Sequence, residues 1–171
     1  MTDAVAQLLP LFPAVPLIAA AFALLAPWRA VRDSIMLIIP GMGIFAGLGL
    51  LMYTMNNGVV AHTVGLYQGN VGIPFAADAF SALMIITTMI VAFGANWFAI
   101  AGGETKSRFY PSLTLILITG VCGALLTADL FNFFVFIEVM LLPSYGLLAM
   151  QGGRDRLRAG RVFVLVNLSA S

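Results

Sequence analysis

Long apolar runs separated by short polar connections dominate the pattern of this chain. Five runs cover residues 8–26, 34–55, 79–101, 111–128 and 130–150, and a sixth begins near Val162. A bilayer core about 30 Å thick needs roughly 20 apolar residues in helical form, so these runs qualify as spans. They are long and show no strict alternation, which favours helices over barrel strands. We therefore predict an all-α polytopic membrane protein with five complete transmembrane helices and the start of a sixth.

The composition agrees with this pattern. Of the 171 residues, 61% are hydrophobic and 9% are charged, against about 25% charged in soluble domains. This composition excludes an ordinary soluble domain and also a disordered chain, which is poor in large apolar residues. The net charge of +1 provides no basic surface for nucleic acid.

Two local features refine the predicted helices. Gly43 and Gly47 lie on one face of the second span, which favours close packing of a neighbouring helix. Pro16 is expected to bend or delay the first helix.

The connection at 56–78 contains two short strand-like segments, 59–67 and 73–76, around Gly69–Asn70. This pattern predicts a small outer hairpin.

Basic residues occur only in alternate connections. The connection at 56–78 contains none, and the short one before the fifth span contains only Asp129 as a charged residue. The basic residues are Arg29, Arg32, Lys106, Arg108, Arg154, Arg156, Arg158 and Arg161. Because basic loops stay in the cytoplasm, the N-terminus is expected outside a plasma membrane that the chain crosses several times.

Glu138 is the strongest candidate for chemistry. It lies eight residues after Leu130 in an apolar run, so it falls near the bilayer centre, where ionisable residues are functional by default. Pro143 removes the helical donor of the Val139 carbonyl, which leaves an acceptor for water beside the acid. Tyr145 shares the face of Glu138, about 10 Å along the helix. The alternative is a structural acid bonded to a neighbouring helix.

Two aspartates precede predicted spans. Asp78 stands before the third run and Asp129 before the fifth, where a carboxylate caps a helix and complements its dipole. A role at an outer proton entrance is the second interpretation of both residues. The chain contains one histidine and one cysteine, Cys122, and no metal-ligand spacing or phosphate-binding glycine loop. No cofactor, metal or nucleic-acid partner is therefore expected.

From Val162 only ten residues remain. A ten-residue helix spans about 15 Å, half of the hydrocarbon core. We therefore expect residues 1–171 to form the N-terminal part of one transmembrane domain in a longer polypeptide.

The block TADLFNFFVFIEVMLLPSYGLLAM, followed by an arginine-containing loop and RVFVLVNLSAS, resembles the D subunit of Mrp-type multisubunit sodium/proton antiporters. The proline-rich first helix and the segment FAADAFSALM fit the same family, which is homologous to the antiporter-like subunits of respiratory complex I. The resemblance covers the whole chain.

The resemblance implies an ion-translocating subunit rather than an enzyme. It implies about fourteen helices, with Glu138 essential and paired with a lysine on the seventh helix. Further lysines on later helices complete a hydrophilic axis, and the inverted repeats begin at the fourth helix. Na⁺, H⁺, the other membrane subunits of the complex and the lipid bilayer are the implied partners.

Two alternatives remain open. One is a proton-pumping subunit of a complex I-type NADH:quinone oxidoreductase. The other is a non-transporting membrane scaffold in which Glu138 is only a packing acid.

Overall fold

The computed structural model describes residues 2–65, 72–150, 160, 162 and 164–166. Short connections join its elements, and a 3-10 turn over Glu104–Lys106 precedes the fifth helix. The elements in chain order are α1 (Thr2–Leu8), α2 (Leu11–Leu25), α3 (Arg29–Asn57), β1 (Val60–Val64), β2 (Ile73–Ala77), α4 (Ala79–Ala101), α5 (Tyr110–Leu126) and α6 (Leu130–Met150).

Four helical segments of the described chain are long and apolar enough to cross a membrane, namely Ala4–Leu25, α3, α4 and α6. The fourth predicted span, 111–128, corresponds to α5, which is apolar but has 17 residues that extend about 25 Å. The helical class is confirmed, whereas the count of five complete transmembrane helices is not. Residues 162 and 164–166 of the predicted sixth helix are helical, and so is residue 160 just before it.

Some predictions fall on residues outside the described part of the chain. They concern the hairpin turn at Gly69–Asn70, the end of the sixth run at 167–171, and four arginines of the fifth connection, Arg154, Arg156, Arg158 and Arg161.

The helix of the second predicted span, α3, begins earlier than predicted. Arg29 and Arg32 belong to the first turns of α3 rather than to a loop. An ion pair of 3.4 Å joins Arg29 Nε to Asp33 Oδ2, and opposite charges at this spacing support a helix. The first predicted helix also differs from the prediction. Its interruption lies at Leu9–Pro10, between α1 and α2, whereas Pro16 lies inside the continuous helix α2. Pro10 has no backbone amide, so a helix boundary there loses no donor.

Small residues bring α3 and α4 into close contact. A Cβ atom added to Gly43 would lie 2.6 Å from Met89 Sδ, and one added to Gly47 would lie 2.8 Å from Ile86 Cγ1. Both distances are shorter than van der Waals contact, so a larger residue at Gly43 or Gly47 would have to displace the side chain of Met89 or Ile86. The packing role predicted for Gly43 and Gly47 is confirmed.

A two-stranded antiparallel hairpin marks one end of the bundle. It pairs Val60 with Ala77 and Val64 with Ile73, close to the predicted strands. The hairpin lies against the α5–α6 junction, where the Ala128 amide donates to the Pro74 carbonyl at 2.9 Å. We call this the hairpin end.

Basic residues meet at the opposite end, which we call the arginine end. Arg29 Nη2 donates to Thr105 Oγ1 at 3.0 Å, which joins the start of α3 to the turn after α4. Arg108 Nε donates to the Leu24 carbonyl at 2.9 Å. That carbonyl lies in the last turn of α2, where the helix itself supplies no donor. The basic residues of two separate connections therefore lie at one end of the bundle.

Candidate functional site

The helix that carries Glu138 packs on α5 through glycines. A Cβ atom on Gly120 would lie 2.7 Å from the Met140 amide nitrogen and 2.8 Å from the Phe136 carbonyl oxygen. A Cβ atom on Gly123 would overlap the Phe136 ring. The backbone of α6 therefore touches α5 at the level of residues 136–140, and no side chain fits between the two helices there.

Glu138 lies at that level but on the other face of α6. Phe136 and Met140 face α5, and each is two residues from Glu138, which corresponds to a rotation of about 200° around the helix. The Glu138 side chain is half-buried. The acid thus projects away from the α5–α6 contact.

Tyr145 occupies the same outer face of α6. It is seven residues after Glu138, which places it about 10 Å further along the helix, and it is half-buried as well. Pro143 is the buried residue of α6 and faces the other way. Because Pro143 has no amide hydrogen, the Val139 carbonyl lacks its helical donor. One turn of α6 therefore contains an ionisable side chain, that of Glu138, next to the Val139 carbonyl, which receives no hydrogen bond from the helix backbone.

The outer face of α6 is otherwise apolar. Phe131 and Leu142 flank Glu138 and Tyr145 on this helix and are 71% and 64% exposed. Glu138 is therefore an ionisable residue on a largely apolar helix face.

Asp78 and Asp129 cap helices at the hairpin end, as expected from their positions. Asp78 Oδ1 accepts from the Ser81 amide at 2.7 Å in the first turn of α4. Asp129 Oδ2 accepts from the backbone amide of Asn132 at 3.2 Å and from its side-chain amide at 2.7 Å. The Ser81 amide lowers the pKa of Asp78 below its usual 3.8.

The structure brings only part of the candidate set together. Glu138 and Tyr145 share one helix face. Asp129 is nine residues before Glu138, which separates the two by about 13 Å along the helix. Asp78 belongs to the start of another helix. The sequence interpretation missed Gly120 and Gly123, although their spacing of three residues in an apolar run is a signal for close helix packing.

The arginine end contains a second polar cluster that was not predicted. Arg32 is 8% exposed. Its Nε atom and Asp33 Oδ1 are buried and have no hydrogen-bond partner among the described residues. Thr105 Oγ1 donates to Asp33 Oδ2 at 3.3 Å. This cluster lies at the opposite end of the bundle from the two capping aspartates.

No protein-family model matches the chain. The chain is 36% identical over 167 residues to the Na(+)/H(+) antiporter D subunit of Alkalihalophilus pseudofirmus, covering 92% of this chain and 32% of that protein. It is 44% identical over 112 residues to the probable K(+)/H(+) antiporter D subunit of Rhizobium meliloti, covering 63% of this chain and 21% of that protein. The chain therefore spans about a third or less of the length of these relatives.

Chains of two solved membrane complexes have the same fold as this chain. The chain superposes on a chain of the Mrp complex from Dietzia sp. DQ12-45-1b with a TM-score of 0.91 and 41% identity, covering 96% of this chain and 32% of that one. It also superposes on a chain of the membrane-bound sulfane sulfur reductase, an archaeal respiratory membrane complex, with a TM-score of 0.80 and 22% identity. The second likeness concerns the fold alone.

Proposed function

This chain is homologous over most of its length to the D subunit of Mrp-type Na⁺/H⁺ antiporters, and we propose that it acts in a monovalent cation/proton antiporter. The observation that carries the proposal is the TM-score of 0.91 at 41% identity with a chain of an Mrp complex. The two relatives are named as sodium/proton and potassium/proton antiporter subunits. The proposed substrate is therefore a monovalent cation rather than sodium alone.

In this proposal Glu138 is a proton-accepting station in a relay that crosses the membrane. Its place near the middle of the apolar helix α6, on the face turned away from α5, supports this role, because ionisable residues inside a membrane are functional by default. The Val139 carbonyl, which lacks its helical donor, provides a place for a water molecule beside the acid.

Tyr145 is proposed as a second polar group of the same relay. A phenol donates and accepts hydrogen bonds, and a position two helical turns from Glu138 suits a chain of water molecules between them. For Asp78 and Asp129 we propose capping as the main role, because their carboxylates are already engaged by backbone amides.

We propose that the arginine end faces the cytoplasm and the hairpin end faces outside. The meeting of basic residues from two connections at one end supports this orientation through the bias of basic loops towards the cytoplasm. The proposed partners are the other membrane subunits of an Mrp-type complex, with protons and a monovalent cation as the transported ions.

Glu138→Gln tests the relay. The amide preserves the size and hydrogen-bonding capacity of the side chain but does not titrate, so cation/proton exchange should be abolished while assembly persists. The measurement is antiport in everted vesicles, followed by quenching of a pH-sensitive dye, with complex assembly assayed in parallel. Glu104→Gln is the matched control, because it makes the same chemical change at the exposed 3-10 turn and should leave exchange intact.

Four further outcomes test the proposal and the scaffold alternative. Glu138→Asp retains the charge with a shorter reach, so partial exchange is expected, and Tyr145→Phe should slow exchange without preventing assembly. Full exchange by Glu138→Gln would refute the relay. Loss of assembly together with exchange would favour the scaffold interpretation, in which Glu138 is a packing acid.

A further inference from the structure

An apolar groove runs between the first two helices and α3. Residues from Val5 to Pro16 form one wall, residues from Ile39 to Tyr53 form the other, and Met89 of α4 lies at the base. Its volume is about 410 Å³. We call this cavity the α2–α3 groove.

The dimensions of the α2–α3 groove identify what it can hold. The wall from Ile39 to Tyr53 is fourteen residue steps of helix, about 21 Å. An extended hydrocarbon chain fits a groove of this length and volume, because non-bonded carbon atoms pack about 4 Å apart.

The lining has the chemistry of a hydrocarbon site. Among the described residues that line it, Tyr53 alone carries a polar group on its side chain, and none is charged. Tyr53 lies at the hairpin end of the groove, four residues before the end of α3. Tyrosine is typical of the boundary between the hydrocarbon core and the head groups.

The length also matches a lipid tail. One leaflet of the hydrocarbon core is about 15 Å deep, so a groove of about 21 Å accommodates a complete tail with some tilt. Small residues of α3, namely Gly43, Ala46 and Gly49, line the groove, and a Cβ atom on Gly49 would meet nothing within 4 Å. The space at Gly49 is therefore not used by the packing of the described chain.

We propose that the α2–α3 groove binds one acyl chain of a membrane lipid from the leaflet at the hairpin end, with the head group near Tyr53. Water does not fill an apolar groove of this kind, and an empty groove would lose dispersion contacts along both walls. The bound chain supplies those contacts and joins the first two helices to α3. This role is independent of ion transport by Glu138.

The test uses the assembled membrane complex that contains the chain, reconstituted with a phospholipid that carries a photoactivatable group in its acyl chain. Labelled residues are identified by mass spectrometry after irradiation. In the wild type, labelling of groove residues such as Met42 should exceed labelling of Val91, which is 64% exposed near the middle of α4 and does not line the groove. Equal labelling of Met42 and Val91 would overturn the proposal.

Gly49→Leu fills the groove and should reduce labelling of Met42 several-fold, while labelling of Val91 is unchanged. Gly94→Leu is the matched control, because a Cβ atom on Gly94 of α4 also meets nothing within 4 Å and Gly94 does not line the groove. Unchanged labelling of Met42 in Gly49→Leu would overturn the proposal. The proposal would also be overturned if the wild-type groove stayed unlabelled while another protein of the complex was labelled. That result would indicate that a protein segment occupies the groove. Neither result depends on the exchange activity of Glu138 variants.

Discussion

The Asn96 side-chain amide on α4 donates to the Met36 backbone carbonyl on α3 at 3.0 Å. Met36 lies four residues before Pro40, which has no amide hydrogen, so the carbonyl lacks its helical donor. Both partners are buried, with Asn96 3% exposed and Met36 fully buried. Asn96 therefore replaces, from a neighbouring helix, the hydrogen bond that the proline removes, and it allows a proline inside a 29-residue helix.

Asn96→Leu should destabilise the protein because it leaves the Met36 carbonyl without a donor in apolar surroundings. We expect a loss of about 0.6–2 kcal/mol in unfolding free energy, the range of interhelical hydrogen bonds in membranes. In a Pro40→Ala background, residue 40 supplies the donor and the same substitution should cost less. A double-mutant cycle on the unfolding free energy measures this coupling. An equal loss in both backgrounds would contradict the role assigned to Asn96.

Gly120→Ala should destabilise the packing of α6 on α5. The new methyl group would lie within 3 Å of the α6 backbone, which cannot move aside as a flexible side chain does, so we expect a loss of about 1–3 kcal/mol. Gly94→Ala is the control, because its methyl group enters open space and alanine favours a helix by about 0.5–1 kcal/mol over glycine. Thermal unfolding of the two variants side by side is the measurement. A Gly120→Ala variant as stable as the control would show that the contact is loose.

Asp78→Ala should loosen the first turn of α4. The loss of an N-cap costs about 1 kcal/mol, and solvent screening at this exposed site favours a smaller value. Asp78→Asn retains an acceptor oxygen and should cost less. Hydrogen exchange at the Ser81 amide is the measurement.

The pH dependence of the same cap follows from its lowered pKa. Because the pKa of folded Asp78 lies below the usual 3.8, the contribution of the carboxylate is complete above that value and disappears as pH falls through the folded pKa. Protection of the Ser81 amide in the wild type should therefore stay constant at neutral and mildly acidic pH. Loss of protection already near neutral pH would contradict this account.

The proposed orientation predicts which engineered cysteines react with a membrane-impermeant thiol reagent. The background is Cys122→Ala, which removes the buried native thiol. Thr63→Cys on the hairpin should be labelled in intact cells, and Ser107→Cys at the arginine end should be labelled only after the membrane is permeabilised. Labelling of Ser107→Cys from outside would reverse the orientation.

The sequence by itself determined the class of the molecule and most of its helices. Runs of about 20 apolar residues have few alternatives to a membrane helix, because an unpaired backbone group in lipid costs several kcal/mol. The same one-dimensional signal located the hairpin strands, the two aspartate caps and the Gly43–Gly47 contact. Each of these features depends on residues close together in the chain. The predicted start of α3 was wrong because hydropathy excludes Arg29 and Arg32 from an apolar run. The helix extends through both residues, and an ion pair joins Arg29 to Asp33 one turn later.

The tertiary structure decided which surfaces meet. No local pattern indicates that Asn96 supplies the donor missing at Met36, since the two residues are 60 positions apart. The same holds for the face of α6, where the contacts of Gly120 and Gly123 orient Glu138 away from α5, and for the groove between two helix walls that are distant in sequence. Hydropathy records how favourable each residue is in lipid, but helix pairing depends on shape and on hydrogen-bond donors, which are defined only when the helices are in contact.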